Sequence, residues 1–149
     1  MKVATKAYGL IEVDERHKIT FPRGLFGFES CKEYALLDAE RQPFYWLQSM
    51  DVEGVAFIVI DPCIFRPDYE VTIDNEELQE LDLPALEAAL IFSIITIPAD
   101  RGPMTANLQG PLIINRNTRF GKQLVLSDPR WKTKHDVMAE LAAGRHTPC

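Results

Sequence analysis

The sequence predicts a mainly β fold, namely one small antiparallel β-barrel-like domain with short peripheral helices. Short apolar segments rich in β-branched residues recur along the chain, whose 149 residues fit one compact domain. They lie at residues 19–21, 34–37, 44–47, 55–60, 90–97, 112–114 and 124–126. Prolines, which cannot donate to a sheet ladder, stand beside several of them: Pro22, Pro43, Pro62, Pro98 and Pro111. This pattern is typical of short strands joined by turns.

Two of these segments do not alternate polar with apolar residues. Residues 55–60 are apolar throughout, and residues 90–97 are interrupted only by Ser93 and Thr96. A strand with this composition is expected to be buried on both faces. The two segments therefore predict a small closed or nearly closed barrel, with helices or loops packed over it.

A first helix is predicted to begin at Asp74. This residue precedes Glu77 by three positions, as in a capping box, and acidic residues near a helix N-terminus complement the helix dipole. Leu78 and Leu81 then fall on one face of the helix, where they can pack against the sheet.

A second helix is predicted near the C-terminus, with Thr133 three residues before Asp136. An apolar stripe of Val137, Met138 and Leu141 follows, and Gly144 fits the position after the last helical residue. We therefore divide the chain into a barrel-like domain at residues 1–134 and a C-terminal helix with a flexible tail at residues 135–149.

The composition argues against binding to nucleic acid or membrane. The net charge is −6, whereas non-specific nucleic-acid binding requires many lysines and arginines that neutralise phosphates. The longest apolar runs are far shorter than the roughly 20 residues needed to span a bilayer. The N-terminal residues also lack the apolar core of a secretion signal, so we expect a cytoplasmic protein.

Neither a catalytic site nor a metal site is predicted. Cys31, Cys63 and Cys149 show no paired spacing and are expected to be reduced thiols. A zinc site formed by His135, His146 and Cys149 would lack the usual fourth ligand. Catalysis at Cys63, which follows a buried strand, would require a base that the sequence does not identify. We expect no cofactor and no enzyme activity.

Charge is distributed unevenly along the chain. Residues 68–100 contain nine acidic residues and no lysine or arginine, whereas residues 101–149 contain eight basic and three acidic residues. One interpretation is that Asp74, Glu76 and Glu77 only complement a helix N-terminus. The functional interpretation is an acidic surface that attracts a basic protein and repels RNA.

Five groups of residues, in the same order along the chain, resemble the flagellar assembly factor FliW family. The first is the opening segment at residues 21–29, FPRGLFGFE. The others are residues 43–49, residues 57–62 with 67–70, residues 96–98 with 104–108, and residues 110–115 with Arg119 and 121–123. The resemblance extends over about residues 5–134 and does not include the tail.

The resemblance implies a compact β-barrel-like protein that switches between two protein partners. Family members bind CsrA, a small dimeric regulator that represses translation of flagellin mRNA, and cause it to release RNA. They also bind flagellin near its terminal helical region, in a chaperone-like manner, so that free flagellin leaves CsrA unbound. The chain is accordingly expected to be a monomer when free and to make no direct contact with nucleic acid. An OB-like barrel that binds nucleic acid through its basic C-terminal half is the alternative.

The predicted partner-binding residues are two aromatic residues and the carboxylates of the acidic stretch. They are Phe65, Asp68, Tyr69, Glu70, Asp74, Glu76, Glu77 and Glu80. A flagellin helix would need an apolar groove, for which Phe44 and Trp46 are further candidates, although strand aromatics more often pack in the core. Tyr69, in a loop between acidic residues, is expected at the surface.

Overall fold

A computed structural model describes residues 1–144 and is mainly β. The strands are β1 Lys2–Thr5, β2 Gly9–Glu12, β3 Lys18–Thr20, β4 Glu33–Asp38, β5 Tyr45–Ser49, β6 Ala56–Ile60, β7 Ala89–Thr96, β8 Thr105–Ala106, β9 Leu112–Asn115, β10 Gly121–Gln123 and β11 His135–Asp136. The helices are α1 Asn75–Glu80 and α2 Val137–Gly144. Short 3-10 turns lie at Glu15–His17, Pro62–Ile64 and Leu86–Ala88.

The main sheet is antiparallel and is organised around β7. Its strand order is β10-β9-β7-β6-β5-β4-β3, with β8 and β11 added beside the end of β7. One edge of β7 pairs with two strands in turn, since Ala89–Phe92 faces β9 whereas Ile95 and Thr96 face β8. The hairpin of β1 and β2 forms a separate two-stranded sheet.

Of the predicted closed or nearly closed barrel, the closed form is not found among residues 1–144. The ladder runs from β10 to β3 without closing, and these two edges meet at a single bridge between Thr20 and Phe120. The Thr20 N–H donates to the Arg119 carbonyl at 2.9 Å, and no second rung follows. Because β3 has only three residues and Pro22 has no N–H to donate, the edge is too short to complete a ladder.

The core lies on both sides of the central strands, as the two non-alternating segments predict. Val59 and Ile60 in β6 and Phe92 and Ile95 in β7 are all at most 6% exposed. Ile97, just beyond β7, is instead 61% exposed. A strand buried on both faces therefore did not require a closed barrel.

Six of the seven predicted strand segments coincide with strands, but residues 124–126 do not. The strand in that region is β10, and it ends at Gln123. Leu124 and Leu126 are buried whereas Val125 is 67% exposed, and the two leucine N–H groups donate to the Pro111 and Gln109 carbonyls. The hairpin of β1 and β2 and the two-residue strands β8 and β11 were not predicted, because their segments are too short or too polar to stand out.

The predicted start of α1 is confirmed. The Asp74 carboxylate accepts a hydrogen bond from the Glu77 N–H at 2.9 Å and so caps the helix. Asn115, at the end of β9, holds the other end of α1, because its side-chain amide donates to the carbonyls of Leu81 and Asp82 at 2.9 and 3.0 Å. The helix is therefore fixed to the sheet at both ends.

The predicted start of α2 is wrong. The residue that caps the helix is Asp136 and not Thr133. The Asp136 carboxylate accepts a hydrogen bond from the Ala139 N–H at 3.0 Å. His135 and Asp136 form β11 against β8, which delays the helix until Val137. Val137 and Leu141 pack into the core, but Met138 is 61% exposed and does not belong to the buried stripe. No helix within residues 1–144 is long and apolar enough to span a bilayer.

Candidate protein-binding surfaces

The acidic stretch does not form one continuous unpaired surface. Asp68 makes a two-point ion pair with Arg66, in which the guanidinium Nε and Nη2 atoms lie 2.8 Å from the carboxylate oxygens. Glu70 lies 3.9 Å from the guanidinium of Arg130, which belongs to a distant part of the sequence. Asp68 and Glu70 are therefore paired with arginines from outside the acidic stretch.

The ring of Trp131 is the common contact of Arg66 and Arg130. Its side chain is 1% exposed, and the guanidinium centres of Arg66 and Arg130 each lie 4.8 Å from the centroid of its ring. Arg66 also bonds Glu140 of α2 at 2.7 Å, and Glu140 accepts from His135 at 2.9 Å. Because the Lys132 N–H donates to His135 Nε2, the histidine proton is on Nδ1, facing Glu140. This network attaches α2 to the sheet.

Phe65 and Tyr69 are buried, so the expectation that Tyr69 lies at the surface is wrong. Phe65 is 1% exposed and Tyr69 is 8% exposed. The Tyr69 hydroxyl donates to the Leu108 carbonyl at 2.7 Å, and its ring meets the Trp131 ring edge-on at 4.8 Å. Burial raises the pKa of Tyr69 above its usual value. Both side chains belong to the core, where they position the loop that carries Asp68 and Glu70.

The carboxylates around α1 form a more coherent acidic region. This region, here named the α1 surface, consists of Asp74, Glu76, Glu77, Glu80, Asp82, Arg23 and Lys122. Its five carboxylates against two cations leave a net charge of −3. Glu76 is exposed and makes no ion pair within residues 1–144. The structure thus brings together the predicted residues Asp74, Glu76, Glu77 and Glu80 around α1, whereas Asp68 and Glu70 pair with Arg66 and Arg130.

Lys122 and Arg23 partly neutralise the α1 surface. Lys122 Nζ lies 2.7 Å from Glu77 and 3.3 Å from Glu80, and Arg23 Nη2 lies 2.7 Å from Glu80. Burial lowers the pKa of Lys122, but its hydrogen bonds to Glu77 and Glu80 outweigh that effect, and the net pKa is raised. The sequence count missed both cations because they come from outside the acidic stretch.

An apolar groove of about 580 Å³ opens on another part of the molecule. This Trp46 groove is lined chiefly by Tyr8, Phe44, Trp46, Ile97, Met104 and Met138. Phe44 and Trp46 are half-buried. Each side chain is therefore partly in the core and partly in the groove, the two positions that the sequence left open. Ile97 and Met138 are both 61% exposed. Sequence reasoning did not assign Tyr8, Ile97, Met104 or Met138 to the groove, since separate elements bring them together.

A further cavity lies beside Cys63. It measures about 650 Å³ and is lined by Asp61, Cys63 and Tyr69, among others, but by no histidine. Cys63 is not a free thiol, so the prediction that it is reduced is wrong, whereas Cys31 is a buried free thiol. His146 and Cys149 lie outside the described residues. Among residues 1–144, no group of three or more His, Cys, Asp or Glu side chains is placed to hold a metal ion.

Comparison with known proteins agrees with the resemblance found in the sequence. The family model for the FliW protein matches residues 2–137. The flagellar assembly factor FliW of Treponema denticola is 50% identical over 147 residues, which cover 98% of this chain and 100% of the relative. That of Treponema pallidum is 46% identical over 145 residues, or 97% of each chain. A crystal structure of the flagellar assembly factor FliW superposes with a TM-score of 0.84 at 36% identity, covering 92% of this chain and 96% of that one. The chain therefore belongs to the FliW family of flagellar assembly factors.

Proposed function

We propose that this flagellar assembly factor is a cytoplasmic partner switch that binds CsrA in one state and flagellin in another. Bound to CsrA, it relieves repression of flagellin mRNA translation. Bound to free flagellin, it leaves CsrA free to repress translation. Flagellin synthesis therefore resumes when flagellin has been exported. The observation that carries the CsrA half of this proposal is the net charge of −3 on the α1 surface.

The α1 surface has the charge required to attract a cationic RNA-binding protein and to oppose RNA on the same partner. Opposite charges steer association, and a cluster of one sign repels polyanions. These effects act over about 8 Å at physiological ionic strength. The α1 surface is smaller than the acidic stretch in the sequence, because Asp68 and Glu70 belong to the ion pairs around Trp131.

The Trp46 groove supports the flagellin half of the proposal. An amphipathic helix binds by inserting apolar residues at helical spacing into such a groove. Aromatic side chains provide rigid contact area, and methionines such as Met104 and Met138 adapt to different helices. A chain with two separate surfaces of different character can bind two chemically different partners.

Charge reversal on the α1 surface tests the CsrA contact. We expect Glu76→Lys to weaken binding to CsrA about tenfold at low salt, because one attraction becomes a repulsion. Glu76→Lys with Glu77→Lys should weaken it further, although the second change also breaks the ion pair with Lys122. Isothermal titration calorimetry at two salt concentrations provides the measurement, and the difference from wild type should shrink as salt rises.

The matched control is Glu53→Lys, which reverses an exposed carboxylate in the turn between β5 and β6, outside the α1 surface. It should change the affinity much less than Glu76→Lys. Equal affinities for wild type and both α1 variants would contradict the proposed contact.

The OB-like alternative has less support. The described ladder is open, and two basic residues of the C-terminal half, Lys122 and Arg130, are bound to carboxylates. A gel shift with RNA and this protein alone separates the two functions, since a partner switch gives no shifted band.

A further inference from the structure

Two exposed apolar side chains stand directly beside the α1 surface. Phe26 is 55% exposed and Val125 is 67% exposed. Both line a cavity of about 350 Å³ whose other walls include Asp74, Glu77 and Lys122. Single exposed apolar residues are ordinary at a protein surface, but Phe26 and Val125 line the same cavity and so present their apolar surface together.

The turn that carries Phe26 is held firmly. Its N–H donates to the Gln123 side chain at 2.9 Å, and Gln123 in turn donates to the Gly110 carbonyl at 3.0 Å. Leu25, the preceding residue, is 1% exposed and anchors the turn in the core. Gly24 has a φ of +68°, and a Cβ there would lie 2.5 Å from the backbone of Glu29. The backbone thus fixes the position from which the Phe26 ring projects.

Val125 is held in the same manner from the other side of the cavity. It lies between two buried residues, Leu124 and Leu126. The N–H of Leu124 donates to the Pro111 carbonyl at 2.9 Å, and that of Leu126 donates to the Gln109 carbonyl at 2.8 Å. A partner binding here would meet a preformed site and would not need to order a loop.

We propose that Phe26 and Val125 form the apolar centre of a docking site for a cationic protein, with the α1 carboxylates as its charged rim. The partner chemistry follows from the charges. The carboxylates favour lysines or arginines on the partner, and the exposed Phe26 and Val125 favour an apolar side chain beside them. An apolar centre within a polar rim is the usual arrangement of a protein interface, in which the centre provides most of the binding energy. This inference rests on the proposed function, and CsrA is the cationic partner used to test it.

The test compares Phe26→Ser and Val125→Ser with wild type for binding to purified CsrA and to purified flagellin. Because both side chains are largely exposed, each variant is expected to fold, which its thermal unfolding midpoint verifies. We expect each substitution to weaken CsrA binding roughly 10- to 100-fold and to leave flagellin binding unchanged. Phe26→Leu, which keeps apolar volume, should retain more affinity than Phe26→Ser. The matched control is Phe120→Ser, since Phe120 is 46% exposed and does not line this cavity.

Salt distinguishes the apolar centre from the charged rim. The loss caused by Phe26→Ser should persist at high salt, whereas the loss caused by Glu76→Lys should shrink. Unchanged CsrA affinity in Phe26→Ser and Val125→Ser would overturn this inference and leave the proposed function standing. Equal losses toward CsrA and flagellin would overturn it as well. A wild-type protein that binds no CsrA would instead refute the CsrA half of the proposed function.

Discussion

Two buried tyrosines differ in what their hydroxyl groups contact. The Tyr69 hydroxyl donates to the Leu108 carbonyl at 2.7 Å. The Tyr34 hydroxyl is buried without a hydrogen-bond partner among residues 1–144, and its ring packs edge-on against Phe21 at 5.6 Å. A buried polar group costs free energy when it is unpaired and returns about 1 kcal/mol when it is bonded. The two residues therefore respond differently to the same substitution.

Replacing each tyrosine with phenylalanine makes this difference measurable. Tyr69→Phe should lower the free energy of unfolding by about 1–2 kcal/mol, because the Leu108 carbonyl loses its donor inside the core. Tyr34→Phe should change it by less than about 0.5 kcal/mol or raise it, since no bond is lost. Urea unfolding of both variants gives the two values. Equal destabilisation by the two substitutions would show that the hydrogen bond to Leu108 contributes nothing.

Asp68 links the stability of the fold to pH. The hydrogen bonds from Arg66 hold the pKa of this carboxyl below its usual value of 3.8. A carboxyl whose pKa is lower in the folded state stabilises the fold above the unfolded pKa, and that stabilisation is lost as pH falls through the folded pKa. We expect the free energy of unfolding to fall below about pH 4 and to fall less steeply in Asp68→Asn. The measurement is the thermal unfolding midpoint of both proteins as a function of pH. An equal fall of the two midpoints at acid pH would contradict this role.

Tyr69 also shows what local sequence can conceal at this scale. Its neighbours Asp68 and Glu70 are charged and exposed, which made a surface position the natural expectation. The contacts that bury it come from Leu108 and Trp131, both far away in sequence. No local pattern reports such contacts, whereas the side-chain oxygens of Asn107 and Asn115 accept from N–H groups only two or three residues further along the chain.

At the scale of elements, α1 matters most because it presents three of the predicted carboxylates. It has only six residues, so its stability depends on its cap and on its attachment to the sheet. Leu81, at its end, is 3% exposed, and Leu78 packs beside it in the same cluster. The polar face of α1 is left to the carboxylates, which is the division that the sequence predicted.

Removing the cap of α1 should loosen the element that carries the acidic surface. Asp74→Ala should lower the free energy of unfolding by about 1 kcal/mol, because the Glu77 N–H loses its acceptor. The midpoint of urea unfolding should fall without a change in slope. Glu76→Ala, in the same turn but without a capping bond among residues 1–144, is the control and should have a smaller effect. A cap variant as stable as wild type would contradict this role of Asp74. The contacts of Asn115 and Leu81 would then be sufficient to hold the helix.

The sequence predicted most strands and α1 because each carries its own pattern, but not the way in which the elements combine. The start of α2 depends on the pairing of β11 with β8, which is a contact between distant segments. The open sheet depends on the short length of β3 at its edge. The exposure of Val125 between two buried leucines is not visible in the sequence, where residues 124–126 are all apolar and are interpreted as a strand.

At the scale of the whole molecule, folding redistributes the charge. Residues 68–100 contain no cation, yet Arg23, Arg66, Lys122 and Arg130 all reach their carboxylates. What remains is a smaller acidic region around α1, adjoined by the apolar pair Phe26 and Val125. The Trp46 groove is a separate apolar surface, assembled from the turn before β2, from β5, and from residues beyond β7 and in α2. The family could be recognised from sequence, whereas the position of these surfaces required the fold.

We propose that this protein removes RNA from CsrA without binding RNA itself. The most direct measurement is the fluorescence anisotropy of a labelled flagellin leader RNA, first bound to CsrA and then titrated with this protein. We predict that the anisotropy falls to the value of free RNA, that this protein alone leaves free RNA unchanged, and that added flagellin restores the RNA complex. Anisotropy that stays high while this protein is bound to CsrA, or that rises when it is mixed with RNA alone, would contradict the account.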